Sequence, residues 1–266
     1  MPYLLEIPLT RQEWRADKGG GETPRALNAM VYHWLDAADK RIVEFVHDRA
    51  VKLKPFTVSP LVRLREGEYV FRATLLEDEY GAFVSDGIEH ALREMPRGGY
   101  SVRVGQEILR VAEAPRVWHT SYAELKDNAR HDLEIALEFL SPTSFHVNGM
   151  DYALPEPRRV FESYLKRWNE FSGWVLEPAE ALLDWVTQNV ALAFFEIHSA
   201  EQVYREYKHI GCVGGVTYCV QKNGWGDADK VHWLNVLAEY ATFCGTGRKT
   251  TQGMGQTRRV ANRRTR

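Results

Sequence analysis

Hydrophobic positions change their period along the chain, and each change marks an element. Tyr3 to Leu9 reads as a short strand, and Gly19, Gly20 and Gly21 turn the chain away from it. Thr23 suits a helix N-cap with Pro24 at the first helical position, and Leu27, Met30, Val31, Trp34 and Ala38 recur at helical spacing. The polar side of that helix carries Arg25, Asn28, Tyr32 and Asp36. A second helical stretch, 40–47, presents Ile42, Val43, Phe45 and Val46 to a core. Residues 54–64 and 69–76 alternate and are rich in β-branched side chains, so the turn at Glu66 and Gly67 predicts a hairpin. Phe83, Ile88, Ala91, Leu92 and Met95 mark another helix, stopped by Pro96 and the Gly98–Gly99 pair, before a strand over 100–111.

The order strand, helix, strand, strand, helix, strand then returns. Leu133, Ile135, Leu137 and Phe139 alternate with Glu134, Ala136 and Glu138, and a helix over 156–171 follows a Pro-rich lead. A helix is expected over 182–190, extended chain over 191–198 and 203–220, an amphipathic helix over 227–243 and a last strand over 253–262. Two copies of a split βαβ unit account for this order. The expected fold class is α+β, two tandem ferredoxin-like (RRM-like, βαββαβ) domains, with residues 1–118 forming the first and 119–266 the second. A chain of 266 residues suits that division, and 44% hydrophobic residues can build both cores.

Composition narrows the setting. The opening MPYLLEIPL is too short for a membrane span and lacks the basic start of a signal peptide, so a cytoplasmic protein with no membrane association is expected. Cys212, Cys219 and Cys244 show no paired spacing, which argues against disulfides and zinc and for small core residues. The net charge of −2 conceals an asymmetry, because residues 248–266 hold seven basic side chains and no acid. A cationic end on an acidic body suggests a polyanionic partner, although a solubilising tail accounts for the charge equally well.

The stretch from Gly245 to Gln256, GTGRKTTQGMGQ, crowds glycine, hydroxyl and cation between an expected helix and an expected strand. Gly245, Gly247, Gly253 and Gly255 allow positive φ and could expose consecutive N–H groups to an anion, Arg248 and Lys249 add charge, and Thr250 and Thr251 add hydroxyls. A nucleotide-binding P-loop would need Gly directly before Lys and a helix after Thr, whereas Arg248 stands there and a strand follows.

This stretch resembles the glycine-rich signature of the RAMP superfamily, and the chain is similar to its CRISPR-associated endoribonucleases that cut precursor CRISPR RNA. Tyr32, the run KRIVEFVHD ending at His47, and KLKPFTVS resemble the catalytic segment of that family. Residues 142–145 and VFESYLKRWN at 160–169 also match in order. The resemblance implies cleavage without metal or cofactor, by attack of the ribose 2′-hydroxyl to leave a 2′,3′-cyclic phosphate and a 5′-hydroxyl. The implied trio is Tyr32, His47 and Lys54, with Lys52 the alternative lysine and His33 the alternative histidine.

The residue types fit those roles. Imidazole exchanges protons near neutrality, a lysine stabilises the crowded phosphate, and a tyrosine hydroxyl can orient the sugar. Any one of nine histidines is more often structural than catalytic, and the other seven show no metal-ligand spacing. Arg158 and Arg159, with Lys166 and Arg167, either line an RNA groove or solvate their helix. The expected partner is CRISPR repeat RNA, as precursor and as mature guide. A homodimer and a place in a CRISPR effector complex remain open. The rival reading is a RAMP subunit that binds guide RNA without cutting it.

Overall fold

The computed structural model describes residues 1–14, 23–38, 40, 52–77, 86–87, 90, 93, 101–204 and 207–261. The glycine turn at 19–21 and the helical stretches expected over 40–47 and 83–95 lie outside these, apart from residue 40 and isolated positions of the second stretch. The chain divides into two compact units, Met1–His119 with Thr251–Gly253, and Thr120–Thr250 with Met254–Arg266.

Unit 1 is built on β1 (Tyr3–Trp14), α1 (Thr23–Ala38), β2 (Phe56–Val58), β3 (Val62–Arg65), β4 (Glu68–Leu75), β5 (Ser101–Val104), β6 (Glu107–Val111) and β7 (Arg116–His119). The sheet runs β2-β4-β1-β6-β5, with β3 added to β4 and β7 to β1, and every pairing is antiparallel. Alternation explains which face is covered. Leu5, Ile7 and Leu9 point to one side of β1 and meet Leu27, Met30, Val31 and Trp34 of α1 in one buried cluster. Each such side chain contributes roughly 1.5–3 kcal/mol relative to exposure, so the helical spacing is what fastens α1 to the sheet. Trp34 stacks on Phe71 of β4 with ring centroids 6.2 Å apart.

Two strands differ from the sequence reading. β1 continues past Leu9 to Trp14, because its backbone pairs with β6 beyond a bulge between Arg11 and Glu13, although the apolar alternation has already stopped. The single strand expected over 100–111 is instead a hairpin, β5 and β6, folded at Gly105 with φ 59°. Glycine reaches that conformation without a Cβ penalty, and the hydrophobic pattern on either side does not register the fold. The short strand β7 was not anticipated, because all four of its residues are exposed and carry no alternation.

Unit 2 comprises α2 (Tyr122–Asp127), β8 (Glu134–Thr143), β9 (Phe145–Val147), β10 (Met150–Tyr152), α3 (Pro157–Phe171), α4 (Ala179–Asn189), β11 (Val190–Val203), β12 (Lys208–Val220), α5 (Ala228–Cys244) and β13 (Thr257–Val260). Ser121 caps α2, accepting from the Glu124 N–H while the Glu124 carboxylate accepts from the Ser121 N–H. The four-stranded antiparallel sheet runs β11-β12-β8-β13, and β9 pairs with β10 as a separate hairpin. Ile135, Leu137 and Phe139 of β8 are buried with Val160, Phe161, Tyr164 and Trp168 of α3 and Leu234, Leu237 and Tyr240 of α5. Trp168 sits edge-on to Tyr122, Trp233 and Tyr240 at 5.2–5.6 Å, so the aromatic spacing of α3 is core packing. Trp174, just beyond the end of α3, is 45% exposed and lies under Lys126. Among the described residues no helix is long and apolar enough to cross a membrane.

Cys212 and Cys244 are buried and Cys219 is partly exposed. Burial pushes the Cys244 thiol up to about 12 and the Cys212 thiol up to about 11. The thiolate is the nucleophile, so at pH 8 neither group is reactive while its element stays folded. A thiol-exchange reagent added to native protein at pH 8 should therefore titrate Cys219 first and the other two only on unfolding. Three thiols reacting at one fast rate would contradict this packing.

Candidate functional site

The glycine-rich turn follows the C-terminus of α5. Gly245, with φ 64°, ends the helix, its N–H donating to the Ala241 carbonyl at 3.0 Å. The Thr246 N–H donates to Gly255 O (2.8 Å), the Arg248 N–H to Ser144 O (3.0 Å) and the Gly255 N–H to Pro142 O (3.0 Å). The Gly247 N–H donates to Ser163 Oγ (3.2 Å) and the Gln256 N–H to Ser141 Oγ (2.9 Å). These donors, which the sequence suggested could face an anion, are spent inside unit 2. The glycines are there for close approach. A Cβ on Gly247 would lie 2.2 Å from Ser144 O, and one on Gly255 would lie 2.1 Å from Thr246 O, both at positive φ.

Buried hydroxyls finish the turn. Tyr164 OH and Thr246 Oγ1 are 2.6 Å apart, Thr246 Oγ1 and Thr257 Oγ1 2.7 Å, and Thr257 Oγ1 donates to Gly255 O at 3.0 Å. Arg167, read from sequence as groove-lining or solvating, is instead buried: it donates to Gly247 O (2.8 Å), Ser163 O (2.9 Å) and Thr250 Oγ1 (3.4 Å). It lies one position before Trp168, beside the apolar stripe of α3. Sequence spacing alone did not separate this cation from its solvated neighbours.

The side chains of the turn divide by role. Arg248 Nη1 donates to the Asp151 carboxylate and lies 3.3 Å from His146 Nδ1. Lys249 takes a left-handed φ of 54° and sets Nζ 5.2 Å from the ring centres of both Tyr204 and Tyr207. Burial pushes the Asp151 carboxyl up, but the His209 hydrogen bond and the Arg248 guanidinium outweigh it and hold it below the usual carboxylate range. Asp151, Tyr204 and Tyr207 went unnoticed in the sequence, and His146 and His209 were set aside with the other histidines, because strand pairing and a turn, not spacing, assemble them.

Other expected cations serve the fold. Arg158 bridges α3 to α4 through Glu180 (2.6 Å) and Asp184 (2.9 Å), and Arg159 pairs with Glu156 (2.7 Å). Arg258 pairs with Glu138 (2.6 Å), while the nearly buried Arg259 pairs with Asp132 (2.9 Å) and Glu239 (3.0 Å). The basic end is thus tied in part to acidic partners of unit 2.

In unit 1, Tyr32 is half-buried, and its ring meets Phe56 edge-on at 5.3 Å. The polar side of α1 therefore gives way to core contact at this position. Lys54 is half-buried two residues before Phe56, so Tyr32 stands beside the segment that carries it; Lys52 is exposed. Burial raises the Tyr32 phenol above its ordinary value, which extends its protonated form further into the alkaline range. His33 is exposed; desolvation lowers its imidazole, opposed by Asp36 and assisted by His90. His47 lies outside the described residues. Thr251 and Gly253 group with unit 1, where Asn28 Nδ2 donates to Thr251 O (2.9 Å) and the Gly253 N–H to Val58 O (3.1 Å).

Known proteins resemble this chain over part of its sequence and nearly all of its fold. Residues 137–257 match the family model of the CRISPR-associated endoribonuclease Cas6. Two Mycobacterium tuberculosis proteins of that name, from strains CDC 1551 / Oshkosh and ATCC 25618 / H37Rv, are each 30% identical over 122 residues. That stretch is 46% of this chain and 37% of each relative, so the chain matches well under half their length. The structure of a Cas6 (TTHA0078) product complex superposes with a TM-score of 0.70 at 26% identity, covering 97% of this chain and 100% of that one. A Cas6 (TTHB231) product complex from Thermus thermophilus reaches 0.82 at 24% identity over 98% and 99% of the two chains.

The close approach at Gly247 makes a direct forecast. Gly247→Ala should lower unfolding free energy by about 2–4 kcal/mol through the left-handed backbone and the carbonyl clash. Gly149→Ala, also at positive φ but facing open space, should cost about 1 kcal/mol. Equal urea midpoints for the two variants would show that the turn yields.

Proposed function

We infer that this chain belongs to the family of the CRISPR-associated endoribonuclease Cas6, with its RAMP fold, and that it binds CRISPR repeat RNA and cuts it without metal. The sheet orders of both units suit two tandem ferredoxin-like domains, 1–118 and 119–266, each elaborated by extra strands, and unit 2 by two further helices. The location that fits this work is the cytoplasm. The observation that supports the reading is the Tyr32 ring edge-on to Phe56, two residues after Lys54 in the chain.

The chemistry then assigns one role to each group. The ribose 2′-hydroxyl loses its proton and its oxygen attacks the adjacent phosphorus. The bond from phosphorus to the 5′-oxygen breaks, and that oxygen takes up a proton, leaving a 2′,3′-cyclic phosphate and a 5′-hydroxyl. His47 exchanges the proton, since imidazole does so near neutrality. Lys54, or Lys52 in its place, stabilises charge on the pentavalent phosphorus. Tyr32, a phenol and so protonated at neutral pH, donates a hydrogen bond to the sugar or phosphate. In unit 2, Arg248 and Lys249 hold the strand, and Gly245, Gly247 and Gly255 support them with Thr250 behind.

Purified protein incubated with repeat RNA in excess chelator should still cleave, and one 2′-deoxy substitution at the scissile nucleotide should abolish cutting while sparing most binding. Loss of cleavage on metal removal would overturn the mechanism. Binding with no cleavage of any repeat would favour the non-catalytic RAMP subunit.

His47→Ala should reduce the single-turnover rate by roughly two to four orders of magnitude with RNA affinity largely kept. If His33→Ala produces that loss and His47→Ala does not, the proton-transfer role passes to His33 and the function stands.

A further inference from the structure

Three strands and the glycine-rich turn of unit 2 converge on one carboxylate. Asp151 lies on β10, directly across the hairpin from His146 on β9. One of its oxygens accepts from Arg248 Nη1 and the other from His209 Nδ1 on β12. His209 is boxed edge-on by Tyr204 at 5.7 Å and Tyr207 at 5.2 Å, and its Nε2 is buried without a hydrogen-bond partner among the described residues. The imidazole thus has one polar contact to make, and it makes it to Asp151. The same two tyrosines carry Lys249 over their rings, with Nζ 3.5 Å from Tyr207 OH.

This arrangement fixes one end of a guanidinium and leaves the other. Asp151 and His146 take up Nη1 of Arg248, whereas its Nε and Nη2 have no protein partner among the described residues and the side chain is 28% exposed. The Nε–Nη2 edge is the fork that grips a phosphate with two parallel hydrogen bonds, and a fork gains most when its direction is set beforehand. The backbone is set as well, since the Arg248 N–H donates to Ser144 O and Lys249 is held at positive φ.

We propose that Asp151, braced by His209, is a positioning residue for RNA: it pins Nη1 of Arg248 so that the opposite edge meets a backbone phosphate, with Lys249 supplying the second charge. The proposal rests on the RNA-binding reading above. A carboxylate beside a phosphate also repels it. The decisive question is therefore whether the gain in direction exceeds the lost charge. Salt screens the repulsion between exposed groups, while the hydrogen-bonded geometry persists, so positioning wins at physiological ionic strength.

The test is equilibrium binding of one repeat RNA across a potassium chloride series, comparing the parent with Asp151→Ala, Asp151→Asn, Arg248→Ala, Arg248→Lys and the double Asp151→Ala/Arg248→Ala. Asp151→Ala should weaken binding roughly three- to tenfold, and Asp151→Asn, which keeps an acceptor, should weaken it less. Arg248→Ala should match Asp151→Ala, Arg248→Lys should not restore the loss, and the double variant should be no weaker than Arg248→Ala alone. The slope of log affinity on log salt should become shallower by about 0.7 for the lost phosphate contact in both single alanine variants. Tighter binding and a steeper slope on Asp151→Ala or Asp151→Asn would make the carboxylate a competitor and overturn the proposal. An Asp151→Ala loss that persists in full on the Arg248→Ala background, with a lowered melting temperature, would reduce it to a structural residue. A parent protein that binds no RNA would remove the functional reading itself, a different failure from either.

Discussion

The approach of Gly247 to the Ser144 carbonyl is the constraint on which unit 2 is assembled. Ser144 stands where β8 ends and β9 begins, and its oxygen accepts the Arg248 N–H at 3.0 Å. That one hydrogen bond ties the exit of α5 to the start of the β9–β10 hairpin, and it forms only because residue 247 has no side chain. Arg167 secures the opposite side by donating to Gly247 O. Because the glycine turn cannot drift, the two side chains after it have fixed origins. Arg248 falls beside the hairpin and Lys249 beside the tyrosines of the β11–β12 turn.

Such a turn differs physically from a phosphate-binding nest. A nest works by leaving successive N–H groups unpaired and pointing into a concavity. Here the N–H groups of residues 245–248 and 254–256 all have acceptors, in backbone carbonyls or in the hydroxyls of Ser141 and Ser163. Affinity for an anion must then come from side chains, and the turn contributes by holding them at fixed starting points. The same glycines are required under either account, which is why a glycine-rich motif read in isolation does not distinguish them.

Much of the architecture was legible because burial imposes periodicity. β1, α1, β8 and α3 each bury one face, and their apolar spacing follows that face, whereas α5, expected to be amphipathic, is buried around most of its surface, with residues 234–238 buried in succession. Legibility failed where backbone pairing proceeds without burial. The last three residues of β1, Gln12, Glu13 and Trp14, and the whole of β7 are exposed, so their hydrogen bonds leave no hydrophobic trace. The β5–β6 hairpin was hidden for the opposite reason, since alternation continues through it and Gly105 alone marks the fold. The extended segments before and after residue 204 were recognised, yet the turn was misplaced, because Tyr204 and Tyr207 look like strand residues. They are turn residues joined by a hydrogen bond from the Tyr204 N–H to Tyr207 O at 2.8 Å.

The candidate side chains follow the same division. Tyr32 and Lys54 are candidates through a motif resemblance, and the fold adds that the Tyr32 ring meets Phe56, two residues after Lys54 in the chain. Counting cations was a poor guide to binding, because charge is informative only after its partners are known. Arg158, Arg159, Arg258 and Arg259 all have carboxylate partners within unit 2, so their charge is largely committed before any ligand arrives. Arg248 is also paired, yet at Nη1 alone, so its Nε–Nη2 edge has no partner among the described residues. In the other four arginines that edge is at least half taken, through Nη2 in Arg158 and Arg259, Nε in Arg159 and both nitrogens in Arg258. Asp151 therefore belongs with the residues that govern recognition even though its own charge opposes a phosphate.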